Sequence, residues 1–253
     1  MRSASKFVTG LIISLSFPLP QCAQRPITTP DQALFEAANH ERTSRGLPPL
    51  QWDTSLAATA KQHALRMARQ NLLSHQFPGE PDFATRARNA GALFSAAAEN
   101  VAEGPNADSI HRQWMNSPPH RQNLLDPDLD SIGVATADRN GQLFAVEDFS
   151  HALPKLSFED VEEKLNAQLR TRGLRLLGIV DVARQTCALD QGYAGSQPPS
   201  FLIRYSTPDP SVLPKLLEQK IRSGGYHSAV AGACTPPSQT GFGGYRVAVL
   251  LYE

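Results

Sequence analysis

Trp114-Met115-Asn116-Ser117-Pro118-Pro119-His120-Arg121-Gln122-Asn123-Leu124-Leu125 reads as the joint between two helices. The stretch from Ala107 to Met115 has a helical pattern that the two prolines cannot continue. Proline is nevertheless favoured in the first turn of a new helix, so a short one begins after Ser117. Working backwards, Thr29-Pro30-Asp31 opens a helix carrying Ala33, Leu34, Ala37, Ala38 and Glu41, and Gly46 ends it. Asp53-Thr54 caps a second helix with the apolar face Leu56, Ala60, Ala64, Met67 and Ala68. Pro78 to Gly104, with Gly79 and Gly91 inside it, reads as irregular. Working forwards, Ser131 to Ala135 and Gln142 to Val146 read as strands joined at the turn signal Arg139-Asn140-Gly141.

From Ser157 the texture changes. A helix over Ser157 to Arg172 precedes a strand at Leu174 to Val180, and after a loop comes another strand at Phe201 to Tyr205. A helix over Pro210 to Arg222 then precedes strands at Tyr226 to Ala233 and Tyr245 to Tyr252. That order is α-β-β twice, and Leu165, Leu169-Arg170-Thr171 and Gly173 align with Leu217, Ile221-Arg222-Ser223 and Gly225 as a degenerate repeat. The expected product is a smaller α+β domain, residues 157–253, with a four-stranded antiparallel sheet and both helices on one face. Residues 31–152 form the preceding domain, and the boundary falls between Lys155 and Phe158.

The 253 residues are 41% hydrophobic, enough for two ordinary cores. Lys+Arg and Asp+Glu stand at 24 each. Zero formal charge argues against nucleic acid as a partner and against a polybasic hold on an anionic membrane.

Residues 1–23 read as a secretory signal peptide. Arg2 and Lys6 precede the apolar run Phe7 to Phe17, Pro18 and Pro20 break it, and the small residues Cys22 and Ala23 follow. The run is too short to span a bilayer, and no other stretch is long enough to try. Cleavage near Ala23 fits. Leu19-Pro20-Gln21 lacks the small residues expected ahead of a lipid-modified Cys22. The mature protein is therefore expected to be secreted or periplasmic, with two cysteines, Cys187 and Cys234. Both follow the first strand of their repeat unit, so a disulfide between them is expected.

Five of the seven histidines fall in the first half. His40 and His63 sit within helices, where a satisfied core or boundary histidine is the ordinary reading, and His111 on the third helix reads as partly exposed. His75 and His120 border irregular segments, and Glu99 is a carboxylate inside an apolar stretch, which needs a partner if buried. Two imidazoles and a carboxylate suit either a metal site or an acid/base pair. Trp52 and Trp114 read as core anchors, Arg121 as a donor to loop carbonyls, and Asn100 and Asn123 as partners for turn backbone groups.

Asn39, Arg42, Gly46 to Asp53, Leu56, Ala60, His63-Ala64 and Met67-Ala68 together resemble the opening of the bacterial branch of the CAP superfamily, also called the SCP domain. Leu73-Ser74-His75, Ala98 to Ala102, Trp114 to Leu125 and Ile132 to Ala135 continue the resemblance in order. It covers residues 31–151 and implies an α-β-α sandwich with a cleft where two histidines and two acids meet, reported in the family as a divalent-metal site. The histidines fall on His75 and His120 and the first acid on Glu99. The second acid's place is held by Ser117, which should weaken any zinc site. No family resemblance extends to residues 157–253.

The function expected is a ligand-binding protein outside the cytoplasm, taking a small lipid, a peptide or a metal in the His75/Glu99/His120 cleft. The alternatives are a hydrolase with His75 or His120 as base and Glu99 orienting it, and a cleft that is purely structural.

Overall fold

The computed structural model describes residues 29–235 and 244–253. The segment read as a signal peptide, with Cys22, lies outside the described residues. The chain runs α1 (Pro30–Thr43), β1 (Gln51–Trp52), α2 (Thr54–Gln70), α3 (Phe83–Asn89), β2 (Phe94–Gly104), α4 (Ala107–Asn116), α5 (Pro118–Leu125), β3 (Ser131–Arg139) and β4 (Gln142–Ala152). It continues with α6 (Phe158–Thr171), β5 (Arg175–Leu176), α7 (Val180–Ala188), β6 (Phe201–Thr207), α8 (Lys215–Arg222), β7 (Ser228–Cys234) and β8 (Tyr245–Tyr252).

The local signals act as expected in the first half. Thr29 and Gln32 form a capping box at the start of α1, and the Asp53 carboxylate accepts from the Ser55 and Leu56 N–H groups at the start of α2. Asn140 and Gly141, at φ 54° and 83°, make the tight turn between β3 and β4. These strands join a sheet of order β1-β3-β4-β2, in which only the β1–β3 pair is parallel. The faces follow from alternation along the strands. Ile132, Val134, Ala145 and Phe149 pack under α1, α4 and α5 through Leu34, Ala38, Ile110, Trp114 and Leu124. Ala135, Ala137, Phe144 and Val146 face α2 through Ala60, Ala64 and Met67. The result is the expected α-β-α sandwich.

Three elements here were not foreseen, the first being the two-residue strand β1. Phe94–Gly104, read as irregular, is the long edge strand β2, and Phe83–Asn89 is the helix α3. Trp52, expected in the core, is 43% exposed and stands edge-on against Phe35 at 5.3 Å, because two-residue β1 lies at the sheet margin. Trp114 is fully buried, as expected.

The second half also builds a four-stranded sheet, with α6 and α8 on one face as expected. Two features differ. The order is β5-β7-β8-β6, with β5 parallel to β7, so the sheet is not wholly antiparallel. Residues 180–188, read as the last residue of a strand followed by loop, form the helix α7, which covers the opposite face through Ala183 and Cys187 against Val230, Ala248 and Leu250. The two expected α-β-β units are therefore unlike each other: β7 and β8 are neighbours, whereas β5 and β6 occupy opposite edges. Cys187 and Cys234 form the expected disulfide, with Cα atoms 5.8 Å apart. No strand is shared between the sheets, although Leu93, Leu153 and Leu156 pack against the second core.

Candidate functional site

The cleft grows from the end of α2. Asn71 takes the left-handed conformation there (φ 52°, ψ 45°), which stops the helix and releases the chain into the loop that carries His75. Two buried contacts hold this loop. His63 is fully buried on α2, with Nδ1 3.0 Å from Glu80 Oε1 and Nε2 2.7 Å from the Ser74 carbonyl. Burial pushes the Glu80 carboxyl up, but the Phe77 N–H and His63 more than offset this and hold it below the usual carboxylate range. His63 is thus the satisfied core histidine the sequence suggested.

His75 itself projects outward, its side chain 57% exposed, while Glu99 on β2 is almost wholly covered. His75 Nδ1 donates to Glu99 Oε1 at 2.9 Å. The other Glu99 oxygen receives the Arg86 guanidinium from α3, and Arg86 also donates to the carbonyls of His75 (3.2 Å) and Pro81 (3.0 Å). One arginine therefore fixes both the carboxylate and the backbone of the histidine that the carboxylate orients. With Nδ1 carrying the proton, the neutral ring presents an unprotonated Nε2 to solvent.

His120 enters from α5. The Asn100 side chain donates to the His120 carbonyl at 3.0 Å, and Asn123 donates to the Asn100 oxygen at 2.9 Å. These asparagines tie helix to strand, a longer-range task than the turn role expected of them. Burial, and then the neighbouring His75 imidazole, pushes the His120 pKa down from its ordinary value, which favours the neutral ring. His120 and Ser117 share a groove of about 400 Å³ with Leu73, Gln113, Trp114 and Gln142. Ser117 holds the position before α5, and its hydroxyl makes no capping bond.

Beneath the surface lie two acids that sequence reading overlooked. Asp148 on β4 is directly opposite Glu99, and Glu147 is opposite Asn100. Both are fully buried. Burial, reinforced by the facing Glu99, pushes the Asp148 carboxyl well above its ordinary value despite Arg86. Burial pushes Glu147 up to about 8, against a weaker pull from Asn100. Glu147 is therefore largely neutral at pH 7, and Asp148 is pushed in the same direction. The signal was available in Phe144-Ala145-Val146-Glu147-Asp148-Phe149, two acids inside an apolar strand.

The remaining histidines and Arg121 stand apart. His111, expected to be partly exposed, is mostly covered (14% exposed) and 3.6 Å from Glu41, and burial lowers its pKa. His40 and Arg121 are exposed. Among the described residues, no group of three or more His, Cys, Asp or Glu side chains is disposed to hold a metal ion. Both Glu99 oxygens are already engaged, so the donors the cleft offers a cation are two imidazole nitrogens.

The sheet between its helices and the order of the motifs define an α-β-α sandwich domain. Residues 35–149 match the cysteine-rich secretory protein family, CAP, and this part of the chain is a CAP domain. Its relatives include the Bacillus subtilis protein YkwD, 32% identical over 113 residues and matched over 44% of each chain. The Bacillus subtilis membrane protein YlbC is 32% identical over 111 residues, 42% of this chain and 31% of that one. The chain thus spans less than half the length of both. Among solved structures, an extracellular SCP-domain protein of Bacillus anthracis is 30% identical, with a TM-score of 0.45, covering 48% of this chain and 40% of that one.

Proposed function

We propose that this is a secreted or periplasmic ligand-binding CAP-domain protein whose cleft, formed by His75, Glu99 and His120, takes a divalent cation such as zinc weakly through the two histidines. The observation that carries this reading is the Glu99–His75 bond, which orients the ring and leaves Nε2 free, with His120 near enough for His75 to lower its pKa. Two nitrogens leave the remaining zinc positions to water or to an organic ligand in the groove, so binding should be weaker than at a closed four-ligand site. The basic-apolar-small start of the sequence and the disulfide support export. Among the described residues, no helix is long and apolar enough to cross a membrane. The hydrolase alternative gains no support from Ser74, whose hydroxyl donates to the Gln76 carbonyl at 2.7 Å.

Zinc titration by calorimetry at pH 7.5 and 5.5 tests the proposal. Binding should be present at the higher pH and lost at the lower one, because protonated imidazole is not a ligand and its unperturbed pKa is about 6.5. His75→Ala and His120→Ala should each abolish it. Equal binding at both pH values, or unchanged binding in both variants, overturns the metal reading.

A further inference from the structure

The second sheet repeats the first. Order β5-β7-β8-β6 reproduces β1-β3-β4-β2 strand for strand, including one parallel pair at the same edge, made in both cases by a two-residue strand. The helices fall in step. α6 precedes β5 as α1 precedes β1, α7 joins β5 to β6 as α2 joins β1 to β2, and α8 stands between β6 and β7 as α4 stands between β2 and β3. They also take the same faces: α6 and α8 lie together on one, with α7 alone on the other.

Side chains and backbone agree with this correspondence. The buried positions of α1, Leu34, Ala38 and Arg42, match Val161, Leu165 and Leu169 of α6, each pair 127 residues apart. At the same separation the two helices end alike. Gly46 (φ 76°) donates to Thr43 and Leu47 to Arg42, while Gly173 (φ 83°) donates to Arg170 and Leu174 to Leu169. A Cβ built on Gly133 of β3 would meet the backbone of Leu56 and Ala57 at 2.2 and 2.1 Å. One built on Gly232 of β7 would meet Ala183 and Arg184, again 127 residues on, at 2.4 and 2.3 Å. Each helix therefore crosses its sheet at a glycine, in contact too close for any other residue.

We infer that residues 157–253 are a second CAP-type sandwich, a degenerate tandem copy of the first, from which the cleft has been erased. With Gly133 matched to Gly232, the strand registers place Arg204, Tyr205, Val247 and Ala248 where the first sheet has Glu99, Asn100, Glu147 and Asp148, so none of the three carboxylates is kept. No counterpart exists among the described residues for α3 or α5, the helices that carry Arg86 and His120. Among the described residues, the copy keeps the elements that build the sandwich and lacks those that furnish the His75/Glu99/His120 site. Its disulfide also acquires a place in the scheme: Cys187 corresponds to Ala60, and Cys234, two residues past Gly232, corresponds to Ala135, two past Gly133. Ala60 and Ala135 share one buried cluster.

That last equivalence gives a test independent of any ligand. In the full chain, A60C/A135C should form a second disulfide on air oxidation, found by non-reducing peptide mapping beside Cys187–Cys234. A60C/A137C, one pleat further along, should keep its thiols titratable. Free thiols in a folded A60C/A135C protein, or cross-linking of the A60C/A137C pair in its place, would overturn the inference. Should A60C/A135C not fold, a crystal structure of the unaltered chain decides the matter. Residues 157–253 should superpose on 30–152 with β5 beside β7 and α7 on the face opposite α6 and α8, and any other arrangement refutes the copy.

Discussion

Glu99 and Asp148 face each other across β2 and β4, and the two carboxyls meet opposite fates. His75 and Arg86 take both oxygens of Glu99, while both oxygens of Asp148 are buried without a hydrogen-bond partner. A single guanidinium faces two carboxyls here, and burial with the facing Glu99 pushes the second acid towards its protonated form.

Arg86→Met and Asp148→Asn should therefore differ sharply in cost. Removing Arg86 leaves Glu99 covered and short of its cation, which costs about 3 kcal/mol for a buried pair broken on one side. Asp148→Asn keeps the side chain's shape and adds no charge, so it should stay within about 1 kcal/mol of the parent. Urea denaturation of the two variants at pH 7 separates them, and equal losses would contradict the division of roles.

Glu147 makes stability depend on pH. Its folded value of about 8 lies above that of an unfolded glutamate, so between roughly pH 4.5 and 8 the unfolded chain has released a proton that the folded chain keeps. The unfolded state binds fewer protons, and stability falls as pH rises through this window, by up to about 1.4 kcal/mol per pH unit for this group. Glu147→Gln removes the contribution. Relative to the parent, the variant should gain stability on going from pH 5 to pH 7.5, and parallel stability–pH curves for the two proteins would refute the assignment.

The disulfide closes a separation of 47 residues in the second half. In the chain-entropy model its reduction costs on the order of 4 kcal/mol. With the half-chains as separate domains, a reductant should lower the unfolding transition of residues 157–253 and leave that of the CAP domain in place. Limited proteolysis near Lys155 should likewise yield two persistent fragments. A single transition that shifts as a whole would show one cooperative unit, joined through Leu93, Leu153 and Leu156.

The sequence declared those elements whose signals are local. Capping residues, Pro118-Pro119, Asn140-Gly141 and the apolar faces of α1 and α2 marked the first sandwich, and His75, Glu99 and His120 stood in recognisable motifs. What stayed hidden depends on neighbours. β2 carries Ala96, Ala97, Ala98 and Ala102, residues with little strand preference, and exists because β4 pairs along it. α7 was masked at its start by Ile179 and Val180, β-branched residues that read as the end of a strand until a sheet face is available to pack on. Arg86 sits on a helix of seven residues, and nothing local connects it to Glu99. The kinship of the two sheets was invisible for a related reason. Site residues carry the family's motifs, and the second copy has none of the three carboxylates at the matching positions.

Gly133 and Gly232 offer the most direct comparison between the sandwiches. Neither has a positive φ, so an alanine meets no backbone strain; its penalty arises only from the helix crossing above. The atoms it would strike are main chain, which cannot rotate aside as a side-chain end can. Relief therefore requires α2 or α7 to lift from its sheet, separating Ala60 and Met67, or Ala183 and Cys187, from their partners. Overpacking of this kind costs about 3 kcal/mol or more. Gly133→Ala and Gly232→Ala should each destabilise by that amount, whereas Gly141→Ala, where a Cβ meets nothing within 4 Å, should cost less and act through its φ of 83° alone. Denaturation midpoints of the three variants measure this. A loss at Gly133 without one at Gly232 would mean that α7 is free to shift over its sheet in a way that α2 is not.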